Sequence, residues 1–426
     1  MAGEIKRVLL NYKSTLPEKI VARELGIDSP PFDKAIAIVG PRKSGKTFLM
    51  YSLAKASANP AIVNFEDNLL VGLPLEEMRK IPDYAKELFG TDKLAFFFDE
   101  VHRMGGWERL VIPLLNEHRP VVVTGSNSKL LSREIASSLR GKCLSYLLLP
   151  LSFKEFLSFK GVSLKKGFEL TDEAFAVKKL FSEYFMYGGF PEIVLSDSEG
   201  LKNRLVNSYF DSVLYSDLVD RLSLKNKELV EVCMKYVINS FGNSFSIASL
   251  EGYLKSLRMP YSLEDVYRIL RALEEVFLAA YVREYSKSHR KRELSKAKVY
   301  LFDTSYVQFL ANEPHDGGRR LENLVFIELF RRQGAIDNRG ISYFNGKDCE
   351  CDFVLPDEGK AVQVCYQLTL GNRGREIKGL LKAMESLRLK EGLILTHDQE
   401  EVVNEGGKKF VVKPVWKWLL EDDSMK

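Results

Sequence analysis

Four short apolar runs mark the first third of the chain: residues 35–39 (AIAIV), 61–65 (AIVNF), 94–98 (LAFFF) and 120–124 (PVVVT). Runs of this length, apolar on both faces, predict buried strands of a parallel sheet covered by helices. A helix is expected a short loop after the first run, beginning near Lys46 and including 48–54 (FLMYSLA). Beyond residue 244 the period lengthens. Residues 246–254 read as a short helix, and a turn follows at Met259-Pro260. Over 262–280, Leu263, Val266, Ile269, Leu270, Leu273, Val276 and Phe277 recur at three- and four-residue spacing, which predicts one buried helix face. Strand-like runs at 278–284 and 298–302 then enclose 285–297, so helix, turn, helix and β-hairpin predict a winged-helix arrangement. Further on, 322–332 reads as an amphipathic helix, followed by strands over 341–344, 351–355 and 360–366, an α/β unit. The apolar, aromatic tail 414–420 is expected to close its core.

With 426 residues, 45% of them hydrophobic and 28% charged, the chain exceeds one ordinary core, and several domains are expected. Five scattered cysteines argue against a disulfide framework and for a reduced, cytoplasmic setting. Cys349, Cys351 and Cys365 lack a fourth ligand at metal-finger spacing, so strand cysteines rather than zinc are expected. No apolar run approaches the about 20 residues needed to span a bilayer, so no membrane partner is expected.

The candidate chemistry sits where the first run ends. Gly40-Pro41-Arg42-Lys43-Ser44-Gly45-Lys46-Thr47, followed by Phe48, matches G-x-x-x-x-G-K-[ST] between a strand and a helix. Such a loop turns successive backbone N–H groups toward phosphates, and the helix adds its positive end. ATP is the expected ligand: Lys46 reaches the β- and γ-phosphates, and Thr47 ligates Mg²⁺. The 94–98 run ends in Asp99-Glu100, about 50 residues on, where two carboxylates divide the labour. Asp99 is expected to hold the Mg²⁺ water shell, and Glu100 to polarise the attacking water. After 120–124, Thr124, Ser126 or Asn127 is placed to sense the γ-phosphate, with Asn127 the candidate. Residues 132–142 read as a helix carrying Arg133 and Arg140. Arg140 is the candidate arginine reaching a neighbouring subunit's site, against a surface ion pair.

The ordered set G-P-R-K-S-G-K-T, F-F-F-D-E, V-V-V-T-G-S-N-S, S-L-R-G-K, L-P-L-S-F-K-E-F (149–156) and Y-G-G-F-P-E (187–192) resembles the archaeal-type ATPases, in the STAND branch of AAA+ P-loop proteins. The resemblance places a Gly-x-Pro element at Gly189-Phe190-Pro191, with Pro191 against the adenine. It implies an AAA+ core with a parallel sheet at 1–150, a helical lid at 151–228, a winged-helix domain at 229–310 and a restriction-endonuclease-like α/β domain at 311–426.

Residues 283–298 hold seven basic residues (Arg283, Lys287, Arg290, Lys291, Arg292, Lys296, Lys298) against Glu284 and Glu293, a local +5 beside a whole-chain +4. A wing so charged is expected to bind phosphate backbones, aided by Arg268 and Arg271. Glu264-Asp265, opening the presumed recognition helix, would repel phosphates, so sequence-nonspecific DNA binding is expected over base reading. In the last domain the resemblance assigns Glu322 as helix acid, Asp352 as strand acid and Gln363-Val364-Cys365 to the E-x-K position. Here a glutamine and a cysteine replace an acid and a lysine, with Lys360 or Lys347 as possible substitutes, so the site is expected to be vestigial.

The chain therefore reads as an Mg²⁺-dependent ATPase, a homo-oligomer acting on DNA structures such as branched DNA in recombination or repair. The alternative is a nucleotide-controlled switch or scaffold with a degenerate nuclease domain. An ATP-gated nuclease is a third reading.

Overall fold

The computed structural model describes residues 2–14, 16–27, 34–126, 139, 141–165, 167–222, 224, 226–313, 316–334, 338, 340–405 and 407–421. They form two compact units, Met1–Leu149 and Pro150–Lys426.

In the first unit, the apolar runs become β1 (Ala35–Val39), β2 (Pro60–Asn64), β3 (Ala95–Asp99) and β4 (Val121–Gly125), joined by β5 (Cys143–Leu147). All five pair in parallel, in the order β2-β3-β4-β1-β5. Strand β5 escapes the apolar pattern because every one of its residues is only partly buried, at the sheet edge. Ile36, Ile38, Ile62, Phe97 and Val122 of the sheet meet Leu49, Met50 and Ala54 of helix Lys46–Ala56 in one core. The register sets Ile38 beside Thr124 and Phe98 beside Val123, so β1, β3 and β4 end at one level. Their C-terminal ends carry the phosphate-type loop, the acid pair and a threonine.

In the second unit, helices 153–159, 173–187, 199–212 and 227–239 lead to a small antiparallel sheet, β6 (Ser244–Phe245), β8 (Ala297–Leu301) and β7 (Ala279–Arg283). Helices Ile247–Ser256 and Leu263–Glu275 precede β7, capped by the hydroxyls of Ser246 and Ser262. The second helix stops short of the expected residue 280. Phe277 takes a left-handed φ of 55°, turning the chain into β7, and Leu263 points outward at 44% exposure. Val276 and Phe277 are buried as the turn rather than as a helix face. Between β7 and β8 a helical turn, His289–Leu294, occupies the middle of the expected loop.

The chain ends in a six-stranded mixed sheet, ordered β13-β14-β12-β11-β10-β9: β9 (Ser342–Gly346), β10 (Cys349–Leu355), β11 (Lys360–Val364), β12 (Glu391–Thr396), β13 (Glu401–Glu405) and β14 (Lys408–Pro414). Helix Arg373–Leu387 packs across β9 to β12. Helix Gly317–Gln333 is buried almost all round from Arg320 to Phe330, not amphipathic as its sequence suggests, because it lies against β8, β11 and helix 173–187 at once. The hairpin joins this sheet where the Tyr285 N–H donates to the Tyr343 carbonyl at 2.8 Å. Trp416 and Trp418 are buried, as expected for the tail. Among the described residues no helix is long and apolar enough to cross a membrane.

Candidate active site

The loop after β1 is drawn tightly against the sheet. A Cβ on Gly40 would stand 2.0 Å from the Leu148 carbonyl oxygen, so only glycine fits. The buried Lys46 ammonium turns back into the loop, donating to the carbonyls of Gly40 (3.2 Å) and Pro41 (2.9 Å). The fully buried Ser44 hydroxyl has no hydrogen-bond partner among the described residues. A cradle holding a lysine and an orphaned hydroxyl fits a phosphate ligand, which would accept from both. Arg23 braces the loop from outside, donating to the carbonyls of Ser44 (2.7 Å) and Leu149 (2.8 Å). No motif flags Arg23, since its partners are backbone atoms. Lys43 and Phe48 are exposed beside the loop, Phe48 at 53%. Arg42 and Arg103 both reach Glu66, at 3.3 and 3.1 Å. Burial pulls the Glu66 carboxyl upward, but the two guanidinium groups outweigh it and hold it below its ordinary value.

Beside the loop, the Thr47 hydroxyl donates to Asp99 Oδ2 at 2.9 Å, and the Thr124 hydroxyl donates to Asp99 Oδ1. Thr124 Oγ1 in turn accepts the Glu100 N–H at 3.0 Å. Thr124 therefore fixes both acids, a role no spacing rule reveals. Burial, with the Glu100 charge adding to it, pushes the Asp99 carboxyl up to about 6. Glu100 sits at φ 48°, a left-handed position outside the strand, with His102 Nδ1 3.3 Å from its Oε2. A hydroxyl and a carboxylate already 2.9 Å apart at a phosphate cradle suit the shell of Mg²⁺. Asn127, Arg133 and Arg140 lie outside the described residues. Pro191 belongs to the second unit, where it opens helix Pro191–Val194. The turn before it is fixed by the Gly189 N–H donating to Asp303 Oδ2 at 2.8 Å.

A second polar site lies in the second unit, in a cavity of about 840 Å³. Glu322, Asp352 and Gln363 do converge there, and Gln363 accepts the Asp352 N–H at 3.3 Å while donating to Glu376 at 2.7 Å. The cation comes from neither Lys360, which pairs with Glu358 at the surface, nor Lys347. It is Lys298 on β8, whose ammonium touches Glu322, Glu350 and Asp352. Lys298 therefore leaves the basic cluster in which its sequence position placed it. Arg283 is also engaged, by the Glu293 carbonyl at 2.8 Å and the Glu293 carboxylate at 3.6 Å. Lys287, Arg290, Lys291 and Lys296 are exposed and Arg292 is partly so. Arg268 donates to the Leu222 carbonyl at 2.9 Å, and Arg271 to Glu275 at 3.1 Å.

A protein-family description reading "AAA domain" matches residues 32–157, and one reading "Domain of unknown function (DUF8612)" matches residues 178–316. An uncharacterized protein of Methanocaldococcus jannaschii, MJ1544, is 34% identical over 422 residues, covering 97% of this chain and 94% of that protein. An uncharacterized protein of Haemophilus influenzae is 29% identical over 347 residues, 78% of this chain and 82% of that one. Among solved structures, the Walker-type ATPase paby2304 of Pyrococcus abyssi is similar with a TM-score of 0.40 at 12% identity, over 73% of this chain and 95% of that one.

Proposed function

The chain belongs to the same family as the M. jannaschii protein MJ1544, its first unit carries an AAA-type P-loop domain, and on that premise we propose that it hydrolyses ATP with Mg²⁺. The observation that carries this reading is the Thr47–Asp99–Thr124–Glu100 constellation at the end of β3, beside the cradle. Lys46 exchanges two loop carbonyls for phosphate oxygens, a gain because an ammonium meets a full negative charge instead of a dipole. Mg²⁺ held by Thr47 and Asp99 would neutralise charge on the β- and γ-phosphates. Glu100, outside the strand and off the metal position, orients water at its carboxylate and takes its proton. The test is ATP turnover by the wild type, Lys46→Ala and Glu100→Gln. Both variants are expected to lose at least a hundredfold in rate, with Glu100→Gln still binding nucleotide. Unchanged turnover in Lys46→Ala would sink the reading.

What hydrolysis drives is read from the exposed cations of 287–296. They support sequence-nonspecific DNA binding, with the core at 1–150, the lid at 151–228, a winged helix at 229–310 and an endonuclease-like domain at 311–426. A homo-oligomer in which Arg140 completes a neighbour's site, and Pro191 against adenine, belong to the same proposal, as does Asn127 as γ-phosphate sensor. Turnover at low salt, alone and with single-stranded, duplex and four-way-junction DNA, tests it. Stimulation by one form identifies the substrate. Equal rates with every form favour the second reading, a nucleotide-controlled switch or scaffold, for which the lysine already seated in the acidic cleft speaks.

A further inference from the structure

The acidic cleft of the second unit contains more carboxylates than its sequence motif accounts for, and they are arranged around one buried ammonium. Lys298 is 6% exposed. Its Nζ lies 3.0 Å from Glu322 Oε1 and 3.0 Å from Asp352 Oδ1, and it also pairs with Glu350. Three N–H donors thus face three carboxylates.

Two further donors bind the same carboxylates. The Tyr300 hydroxyl donates to Glu322 Oε1 at 2.5 Å, and the Val364 N–H donates to Asp352 Oδ2 at 2.9 Å. Glu376, which lines the same cleft, accepts from Gln363 at 2.7 Å and from Arg375. A divalent cation needs several of these oxygens drawn to within about 2.1 to 2.5 Å of one point. That point is the ammonium's.

We propose that Lys298 is the built-in cation of this cleft: it holds the position a divalent metal would take between Glu322, Glu350 and Asp352, and fastens β8 to the C-terminal sheet in the metal's stead. The inference rests on the cleft geometry and not on the ATPase reading. Burial alone would depress the Lys298 ammonium, but Tyr300, Asp352, Glu322 and Glu350 hold its pKa above its usual value, so it stays charged. Cys365, at the lysine position of the strand motif, supplies no charge, because burial pushes its thiol up to about 12. The lysine's backbone is fixed by pairing to Val282 of β7, so the ammonium leaves only if its own side chain swings away from the three carboxylates.

The test uses the nucleotide-free full chain and Mn²⁺ alone, counted by electron paramagnetic resonance titration, with wild type, Glu350→Gln, Asp352→Asn, Lys298→Ala and the Lys298→Ala/Asp352→Asn double variant. Glu350→Gln and Asp352→Asn should leave Mn²⁺ binding as it is in the wild type. Lys298→Ala should gain one site at least tenfold tighter than any in the wild type. The gained site should vanish in the double variant, and Mn²⁺ should raise the melting temperature of Lys298→Ala but not of the wild type. Wild-type Mn²⁺ binding that is lost in Glu350→Gln or Asp352→Asn would overturn the proposal, as would a folded Lys298→Ala that gains no site. If Lys298→Ala does not fold, the comparison of wild type with half-exposed Glu350→Gln decides alone.

Discussion

Asp99 is a buried acid beside a second acid, Glu100, and its titration follows from that. Its folded value of about 6 lies above the ordinary 3.8, so the protonated form is favoured by folding. This contribution is complete below about pH 4 and is lost as pH rises through 6. Nucleotide-free Asp99→Asn is therefore expected to be more stable than wild type at pH 8, by up to roughly 3 kcal/mol. The gain should fade toward pH 4, as urea unfolding across that range would show. The same substitution should abolish Mg²⁺-dependent turnover. The positions of Lys46 and Thr47 after β1 and of Asp99 and Glu100 at the end of β3 were legible in the sequence, because a contiguous loop motif follows one apolar run and an acid pair ends another. Arg23, Thr124 as the joint between the acids, and Lys298 were not, since each acts on partners 21 to 126 residues away that share no spacing rule with it.

Elements follow the same division. Strands buried on both faces announce themselves as apolar runs, and β1 to β4 lie within a residue of where those runs fall. Edge strand β5 does not, and helix 317–333 hides its burial behind the charges of Arg320 and Glu328, which are paired or bonded internally. Helix Arg373–Leu387 meets β10 at Gly379, where a Cβ would stand 2.0 Å from the Glu350 carbonyl oxygen. Gly379→Ala should therefore push the helix off the strand. A loss of about 1 to 3 kcal/mol is expected despite the better helix former, and chemical unfolding would read it. In the 285–297 segment, five cations (Lys287, Arg290, Lys291, Arg292 and Lys296) remain after Lys298 and Arg283 are withdrawn into ion pairs. If all five met duplex phosphates, log affinity would fall with log salt at a slope of about −4.5. Reversing Arg290, Lys291 and Arg292 to Glu should remove binding, and normal binding by that variant would rule the segment out.

Across the whole molecule, two compact units divide the work: a parallel sheet bearing the nucleotide cradle, and a longer unit bearing the basic segment and the acidic cleft. ATP with Mg²⁺ is expected to raise the melting transition of the first unit in calorimetry. A fragment of residues 150–426 should not respond, nor should full-length Lys46→Ala. The Lys298 cluster also has a consequence during synthesis. Lys298 is made 54 residues ahead of Asp352, so at about 5 to 20 residues per second it leaves the ribosome roughly 3 to 11 s before its last carboxylate. Until then the nascent hairpin bears a lysine built for an interior that does not yet exist. A chain broken off before residue 349 would offer that lysine Glu322 alone, without the Glu350 and Asp352 that complete its cluster.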